Sequence, residues 1–332
     1  MSRTAMYKSP NLPFGLPWRQ PANPLVEVAT QVPSQPEIVL SEDTGTPETM
    51  ARMLEATGNY KILRRLAPRT AEPRPAAGRI GLIIDLETTG LDTTRNEVLE
   101  IAAIKFGYAD DRNTSVIGTF QGFQQPSEPI EAAITALTGI TDAMVDGHNI
   151  DNTALEQFVA DAHIVIAHNA AFDRKVAERH WPVFADCHCA CSATGIDWKA
   201  HGLGARPAYL LSEYGLFHDA HRALDDCRAV LEILALDLPG TEQSRLAALL
   251  DRAHRPQHRI WADGAPFALK DTLKQRGYRW HDGTDGRPKA WYLDADAVEA
   301  ELDFLRKEIY RQDDLDIVWR TITSLDRFST RI

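Results

Sequence analysis

Two carboxylates at the end of an apolar run form the most informative pattern in this chain. Residues 80–90 read Ile-Gly-Leu-Ile-Ile-Asp-Leu-Glu-Thr-Thr-Gly, which is typical of a strand buried on both faces. Asp85 and Glu87 would then point to the same face, with their Cα atoms about 6–7 Å apart. Two carboxylates in such a place repel each other and lose hydration. We expect a shared proton or a divalent cation between them, unless the strand merely ends in polar residues.

A second acidic motif follows another apolar stretch. Residues 163–167 predict a buried strand, and the sequence His-Asn-Ala-Ala-Phe-Asp, which ends at Asp173, comes directly after it. On the helix predicted over 170–180, Asp173 shares a face with Val176 and Ala177, so its side chain should point inward. Such an acid could serve a site at the end of the strand, or it could cap the helix.

The third cluster is the sequence His221-Arg-Ala-Leu-Asp-Asp226. Residues 222–236 have the period of an amphipathic helix; Asp226 lies on its apolar stripe, whereas Asp225 faces the solvated side. A carboxylate on a buried face needs a partner, so Asp226 is the predicted functional acid. His221 would lie about 140° away from it around an ideal helix. It could therefore reach the same site only from the preceding loop or from a frayed first turn.

The elements that must position these acids predict an α/β fold. Short links between the first three apolar segments indicate antiparallel strands, and the later strands alternate with helices. The predicted strands are 80–87, 97–107, 114–124, 163–167 and 186–191. The predicted helices are 131–137, 154–162, 170–180, 208–214 and 222–236. Together they make a mixed five-stranded sheet flanked by helices.

The three acidic motifs, taken in this order, resemble those of the DEDDh exonucleases. These are ribonuclease-H-like 3′→5′ exonucleases that include the proofreading (epsilon) subunit of bacterial replicative DNA polymerase. The matching motifs are Asp85-x-Glu87, His-Asn-x-x-Phe-Asp173 and His221-x4-Asp226, together with the Thr-Thr-Gly after Glu87 and Leu137-Thr-Gly-Ile-Thr141. The resemblance covers about 79–238. It implies a ribonuclease-H-like fold and hydrolysis of nucleic acid, with single-stranded DNA 3′ ends favoured, to nucleoside 5′-monophosphates.

By this resemblance, four carboxylates and one histidine form the catalytic site. Asp85, Glu87 and Asp226 would hold one divalent ion. Asp85 would bridge to a second ion, and Asp173 would reach the metals directly or through water. Oxygen ligands favour two Mg²⁺ or Mn²⁺ ions per site over zinc. His221 would be the general base that accepts a proton from the attacking water.

The resemblance also implies a binding site for the terminal nucleotide, formed by Thr88, Thr89, Leu137, Thr138 and Asn169. Nothing in these motifs reads a 2′-hydroxyl, so trimming of RNA 3′ ends is an alternative to cleavage of DNA. A less favoured alternative is a non-catalytic nucleic-acid-binding protein with this fold, against which the complete set of signature residues argues. No segment outside 79–238 matches the polymerase-associated subunit, so a polymerase partner is not implied.

The composition limits the partners and the compartment. The formal net charge of −11 disfavours binding of nucleic acid through a simple basic groove, although cations at a carboxylate site reverse its local sign. No apolar stretch reaches the roughly 18 residues of a membrane span, and the N-terminus lacks the apolar core of a signal peptide. We therefore expect a soluble cytoplasmic protein without a membrane partner. The four cysteines agree with a reducing compartment.

The rest of the chain divides by composition. The predicted parts are a proline-rich, disordered arm at 1–44, a short helical segment and linker at 45–78, the exonuclease domain at 79–238, a linker at 239–256 and a small α+β module at 257–332. The module interleaves aromatic and basic residues, as surfaces that bind single strands do. We favour the interpretation that the aromatic residues form its core, while a basic rim could still be exposed.

Three alternating cysteines suggest two further interpretations. In a strand, Cys187, Cys189 and Cys191 would all face one way, which predicts a buried face lined by thiols. Structural zinc is the less favoured alternative, because it usually comes with C-x₂₋₄-C spacing and a clear fourth ligand.

Overall fold

The chain divides into two units, and each is described by itself. The computed structural model describes residues 45–73, 78–109, 112–283 and 289–332, and the units are Met1–Tyr60 and Lys61–Ile332. The described part of the first unit holds helix α1, Pro47–Ala56. Thr46 begins this helix, because its hydroxyl accepts a hydrogen bond from the Thr49 N–H at 3.2 Å. The arm predicted at 1–44 lies outside the described residues.

The second unit contains strands and helices in alternation. Its strands are β1 (Arg64–Arg65), β2 (Arg79–Thr88), β3 (Val98–Ala109), β4 (Arg112–Phe123), β5 (Ile164–Ala167), β6 (Cys189–Cys191), β7 (Leu216–Phe217), β8 (Gln257–Ala262), β9 (Arg279–His281), β10 (Ala290–Ala295) and β11 (Trp319–Ile322). Its helices are α2 (Ala132–Thr138), α3 (Asp142–Val145), α4 (Asn152–Val159), α5 (Ala170–His180), α6 (Pro207–Ser212), α7 (Ala223–Ala235), α8 (Arg245–His254), α9 (Lys270–Gln275) and α10 (Glu299–Phe304), which continues as a π-helix over Leu305–Tyr310.

The central sheet has five strands in the order β4-β3-β2-β5-β6. The first three pair antiparallel, whereas β5 pairs parallel with both β2 and β6. The carboxyl ends of β2 and β5 therefore meet at one edge of the sheet, where the polar residues that follow each strand come together. The predicted α/β fold, a mixed five-stranded sheet flanked by helices, is confirmed.

The two faces of the sheet bury separate apolar clusters. Ile83 on β2 faces the cluster formed with α7 and α8, whereas its neighbours Leu82 and Ile84 face the cluster formed with α4 and α5. Each fully buried Leu or Ile contributes about 1.5–3 kcal/mol relative to an exposed one. The continuous apolar run that ends at Asp85 is thus explained, because both faces of β2 are covered.

The strand predicted over 186–191 is shorter than expected. Pro182–Asp186 forms a 3₁₀ turn, and only Cys189–Cys191 pairs with β5. The buried guanidinium of Arg174 on α5 donates hydrogen bonds to the carbonyls of Cys187, at 2.7 Å, and Ala185, at 3.3 Å. These bonds satisfy carbonyls that a longer strand would have paired in the sheet.

The thiol-lined face is observed despite this difference. Cys187, Cys189 and Cys191 are all buried in the cluster beneath α5. Among the described residues, the side chains grouped closely enough to hold a metal ion are carboxylates and include none of these cysteines.

The segment predicted as a linker at 239–256 contains a packed helix. Leu246, Leu249 and Leu250 of α8 are buried against α7 and the sheet. The polar composition of the segment concealed this apolar stripe, which one helix face presents every three to four residues. The predicted division of the chain into domains stays a prediction.

The C-terminal part forms a second sheet with the order β11-β8-β10-β9. Its core contains Ile260, Leu273, Tyr278 and Leu305, all buried. Trp280 is 51% exposed, so the aromatic residues of the module divide between core and surface. An α+β module with both a small core and exposed rings is therefore present.

The last residues tie this module to the central sheet and to α5. The N–H of Cys189, at the edge of the central sheet, donates to the Ser324 carbonyl at 2.8 Å. The Ser329 hydroxyl donates to the Glu178 carboxylate at 2.7 Å, and Arg174 donates to the Leu325 carbonyl at 3.2 Å. Residues Lys61–Ile332 thus form one body rather than two loosely tethered parts.

No helix in the described ranges combines the length and the apolar character that crossing a bilayer requires.

A pair of glycines tests the packing of the central sheet. Gly81 lies opposite Phe106, and a Cβ atom there would overlap the Phe106 ring. We expect Gly81→Ala to lower the free energy of unfolding by about 1–3 kcal/mol, because the close-packed core must shift. Gly118→Ala is the matched control, because its Cβ would meet Phe158 at an ordinary 3.5 Å. Chemical denaturation measures the free energy of unfolding of each variant. Equal losses in the two variants would contradict this packing.

Candidate active site

Three carboxylates meet at the edge of the central sheet. Carboxylate oxygens of Asp85, Glu87 and Asp226 all lie within 4.8 Å of one another. Asp85 and Glu87 come from the end of β2, and Asp226 comes from the first turn of α7. Cys227 on α7 packs against the sheet, with its Sγ 3.7 Å from the Ile83 carbonyl oxygen. This close approach of helix and strand brings Asp226 to the pair on β2.

The fourth predicted acid joins them from α5. Asp173 is buried, at 3% exposure, and the backbone N–H of Leu86 on β2 favours its ionised form. Loss of hydration nevertheless dominates and raises the pKa of Asp173 to about 7, with the charge of Asp226 adding to the effect. The structure therefore brings all four acids together, and Asp173 points inward as its helical position predicted.

The four acids strongly perturb one another. Loss of hydration, followed by the charges of Asp173 and Asp226, raises the pKa of Asp85 well above its ordinary value. Loss of hydration and the charge of Asp226 raise the pKa of Glu87 to about 8, and Arg222 opposes this only weakly. The converging carboxylates form a donor set of hard oxygen atoms. This is the type of site that Mg²⁺ and Mn²⁺ occupy.

Asp226 is held more firmly than its neighbour. The backbone N–H of His221 donates to Asp226 Oδ2 at 2.7 Å, and that of Arg222 donates to the same oxygen at 3.2 Å. The other oxygen, Oδ1, lies 2.9 Å from Nε2 of His218. Asp225 instead accepts a hydrogen bond from Arg228 at 2.6 Å, on the outer side of the helix. The two adjacent aspartates therefore differ as the helical periodicity predicted.

His221 lies in the turn before α7, which is one of the two approaches that helical geometry allowed. Its side chain is exposed, and its φ angle of 64° lies in the left-handed region. This conformation costs free energy for a residue other than glycine, and such residues concentrate at functional sites. The turn places the backbone N–H of His221 on Asp226, so the position of the histidine is coupled to that of the acid.

The predicted nucleotide-binding residues fall into two groups. Three threonines use their hydroxyls within the protein: Thr88 donates to the Gly90 carbonyl, Thr89 accepts from the Glu97 N–H, and Thr138 donates to the Ile134 carbonyl. These bonds shape the loops rather than present a hydroxyl. Leu137 is 54% exposed, and Asn169 is exposed at the start of α5 with no side-chain hydrogen bond to that helix. Leu137 and Asn169 are thus the two whose side chains are open to a ligand.

Sequence reasoning missed a fifth carboxylate. Glu100 on β3 lies opposite Glu87 and is completely buried. One of its oxygens accepts a hydrogen bond from Gln121 at 2.5 Å, and the other lies 3.7 Å from the Arg222 guanidinium. Within the described residues, that second oxygen has no hydrogen-bond donor. A glutamate inside the apolar run Val-Leu-Glu-Ile-Ala-Ala-Ile was a visible signal.

His218 was missed for a different reason. Its side chain is 3% exposed and contacts Asp226, yet no spacing rule singles out a histidine eight positions before an acid. The intervening turn creates the contact, and a turn of this kind has no periodic pattern.

The comparisons with known proteins agree with this geometry. Residues 82–234 match the family RNase_T, described as an exonuclease. Over 165 residues the chain is 40% identical to the DNA polymerase III PolC-type of Staphylococcus aureus; this covers 46% of the chain and 11% of the polymerase. Over 95 residues it is 39% identical to that of Halalkalibacterium halodurans, which covers 28% of the chain and 6% of the polymerase.

Two solved structures are also similar. Exonuclease X in complex with 5′-overhanging duplex DNA has a TM-score of 0.40 and 24% identity, and covers 52% of this chain and 98% of its own. The Escherichia coli exonuclease I–single-stranded DNA complex has a TM-score of 0.43 and 16% identity. The similarity covers 75% of this chain and 64% of the exonuclease I chain.

Residues 82–234 thus match an exonuclease family in sequence, and the sheet order and the converging carboxylates agree with that match.

The acid cluster predicts an unusual dependence of stability on pH. In the protein without divalent cations, the pKa values of Glu87, about 8, and Asp173, about 7, lie above those of the unfolded chain. The folded state therefore binds more protons, and the free energy of unfolding should fall as the pH rises from about 5 to about 8. Thermal denaturation in EDTA measures this fall, and Mg²⁺ should reverse it at the higher pH. The Glu87→Gln variant should show a shallower fall, and a stability that rises over this range would contradict the assignment.

Proposed function

We propose that this protein is a metal-dependent 3′→5′ exonuclease that releases nucleoside 5′-monophosphates. The observation that carries the proposal is the convergence of Asp85, Glu87, Asp173 and Asp226 at one sheet edge, inside a domain of the exonuclease family. Because the chain covers only a small share of the polymerases to which it is similar, the activity is proposed from this site and not carried over from them.

Each carboxylate has a separate position in the proposed site. Asp85, Glu87 and Asp226 would hold one Mg²⁺ or Mn²⁺ ion; Asp85 would also face a second ion, and Asp173 would complete the set. When bound, two such ions supply electrostatic stabilisation of the attacking and leaving oxygens in an in-line displacement. The raised pKa values of the acids support this, because bound cations remove the repulsion that raises them.

His221 is the proposed general base. The four acids are needed in their ionised form to hold cations, so a proton acceptor must come from another group. An imidazole titrates near neutral pH, and His221 reaches the cluster from an exposed turn whose backbone already contacts Asp226. We propose that one of its ring nitrogens accepts the proton of the attacking water and later releases it to solvent.

The proposed substrate is the 3′ end of single-stranded DNA. The PolC-type relatives are named as DNA polymerases, which favours DNA over RNA. The exposed side chains of Leu137 and Asn169 would contact the terminal nucleotide, while the threonine-shaped loops present their backbone. Parallel digestions of single-stranded DNA, duplex DNA and RNA test this choice. A preference for RNA would replace the substrate assignment without changing the site.

The two adjacent aspartates provide a matched test of the acids. We expect Asp226→Ala to abolish Mg²⁺-dependent release of 5′-mononucleotides, and Asp85→Ala to do the same, because each removes a metal ligand. Asp225→Ala should keep nearly full activity, since its carboxylate bonds Arg228 on the outer side of α7. Product release from a 3′-labelled strand measures all three. Retained activity in Asp226→Ala, or its loss in Asp225→Ala alone, would contradict the site.

A histidine substitution tests the base. His221→Ala should lower kcat by about 10²–10⁴-fold, the usual contribution of a positioned proton acceptor. Mg²⁺ affinity, measured by calorimetry, should change little, and the acidic limb of the pH–rate profile should disappear. A variant that no longer binds Mg²⁺ would instead make His221 a ligand or a support of Asp226.

A further inference from the structure

A cavity of about 510 Å³ lies between the exonuclease side of the molecule and its C-terminal module. Asn169 and Lys175 line it from α5 and the residue before it. Arg259, Arg279 and Tyr292 line it from strands β8, β9 and β10 of the second sheet. Because Lys61–Ile332 forms one unit, these walls are held together by the fold itself.

The walls of this cavity carry an excess of positive charge. Among the described residues that line it, five are lysine or arginine, namely Lys175, Arg252, Arg259, Arg279 and Arg327, and one, Asp294, is an aspartate or glutamate. The positive charge of this cavity contrasts with the formal net charge of the whole chain, which is −11. A cavity of this composition favours an anionic ligand.

Two of the arginines are arranged around one tyrosine. Arg259 forms a bidentate pair with Asp294, at 2.6 and 2.8 Å, and Arg279 shares the same carboxylate at 3.1 Å. Both guanidinium groups lie over the Tyr292 ring, at 4.5 and 5.0 Å from its centre. One carboxylate thus fixes two guanidinium groups without neutralising both, which leaves positive charge for a ligand.

Lys175 and Arg327 have no carboxylate partner among the described residues. Arg327 is 7% exposed, and its guanidinium donates to the carbonyls of Arg252 and Ala253, at 2.9 and 3.3 Å. Its Nε has no hydrogen-bond partner in the described part of the chain. Loss of hydration lowers the pKa of Arg327, and the nearby charges of Asp296 and Asp294 offset this only in part, so a further anion would stabilise the guanidinium.

The cavity and the acid site share helix α5 and the residue before it. Asn169, which lines the cavity, immediately precedes this helix, and Asp173 on the same helix belongs to the acid cluster. Ala171 and Lys175 also line the cavity, and they lie on the opposite face of α5 from Asp173. A strand whose 3′ end lies at the acids can therefore pass the start of α5 and continue into the cavity.

We propose that this cavity binds backbone phosphates of the substrate strand on the 5′ side of the nucleotide being cleaved. The proposal rests on the exonuclease function proposed above. Phosphate contacts supply affinity and position without reading sequence, which suits an enzyme that acts on any 3′ end. Tyr292 holds the guanidinium groups of Arg259 and Arg279 in the cavity through contacts with its ring.

The test removes two cavity cations whose side chains are at least partly exposed, Lys175 and Arg279. In the full chain, Lys175→Ala/Arg279→Ala is compared with Lys307→Ala/Arg95→Ala, which removes two charges at exposed positions outside the cavity. Binding of a single strand of about 20 nucleotides, longer than a typical site of about 4–16, is measured by fluorescence anisotropy in Ca²⁺ at several salt concentrations. We expect the slope of log K against log salt to become shallower by about 0.7 per lost phosphate contact in the cavity variant only.

Cleavage in Mg²⁺ separates this proposal from the proposed function. The cavity variant should raise KM for the long strand but leave turnover of a dinucleotide unchanged, because the proposal places Asn169 at the terminal nucleotide and Lys175 and Arg279 farther along the strand. An unchanged salt slope and KM would overturn the cavity proposal, and so would equal effects of both double variants. If the wild-type protein binds the strand but cleaves neither substrate, the proposed function fails while the binding result still decides the cavity. Binding of free inorganic phosphate that requires these cations, without an effect on the strand, would also overturn it.

Discussion

The mutual repulsion of carboxylates at the end of β2 is the constraint on which the rest of this structure depends. Asp85 and Glu87 lose hydration at the edge of a sheet that is covered on both faces, and Asp173 and Asp226 are brought against them from α5 and α7. An arrangement of this kind opposes folding unless protons or cations neutralise it. The hydrophobic packing of both helices on the sheet supplies the free energy that keeps the acids together.

The same packing explains why the acids can be placed with precision. Asp226 is held through both oxygens, by two backbone N–H groups before α7 and by His218. The turn that provides these donors contains His221 in a left-handed conformation. The proposed base and one proposed metal ligand therefore belong to a single short segment. Glu100, buried beneath Glu87, adds negative charge to the cluster and makes neutralisation by cations more favourable.

The C-terminal module belongs to this architecture as well. Its last residues bond to the edge of the central sheet and to α5, so the module continues the catalytic body and does not hang from a linker. The contrast between the two sites is electrostatic: one concentrates carboxylates, and the other concentrates guanidinium groups and a lysine. The proposed substrate strand would use both, because the proposed chemistry requires cations held by acids and a phosphate backbone requires positive charge.

The sequence by itself determined the elements that have a period. The apolar run of β2, the inward face of Asp173 and the choice of Asp226 over Asp225 all follow from side-chain spacing, because strands and helices repeat every two and 3.6 residues. Only the tertiary structure decided the rest. The shortening of β6 depends on Arg174 reaching carbonyls more than ten residues away. The contact of His218 with Asp226 depends on a turn without periodicity, and the cationic cavity joins residues 169 to 327. Contacts between residues so distant along the chain leave no local sequence pattern. These contacts could therefore be identified only from the packing of whole helices and strands.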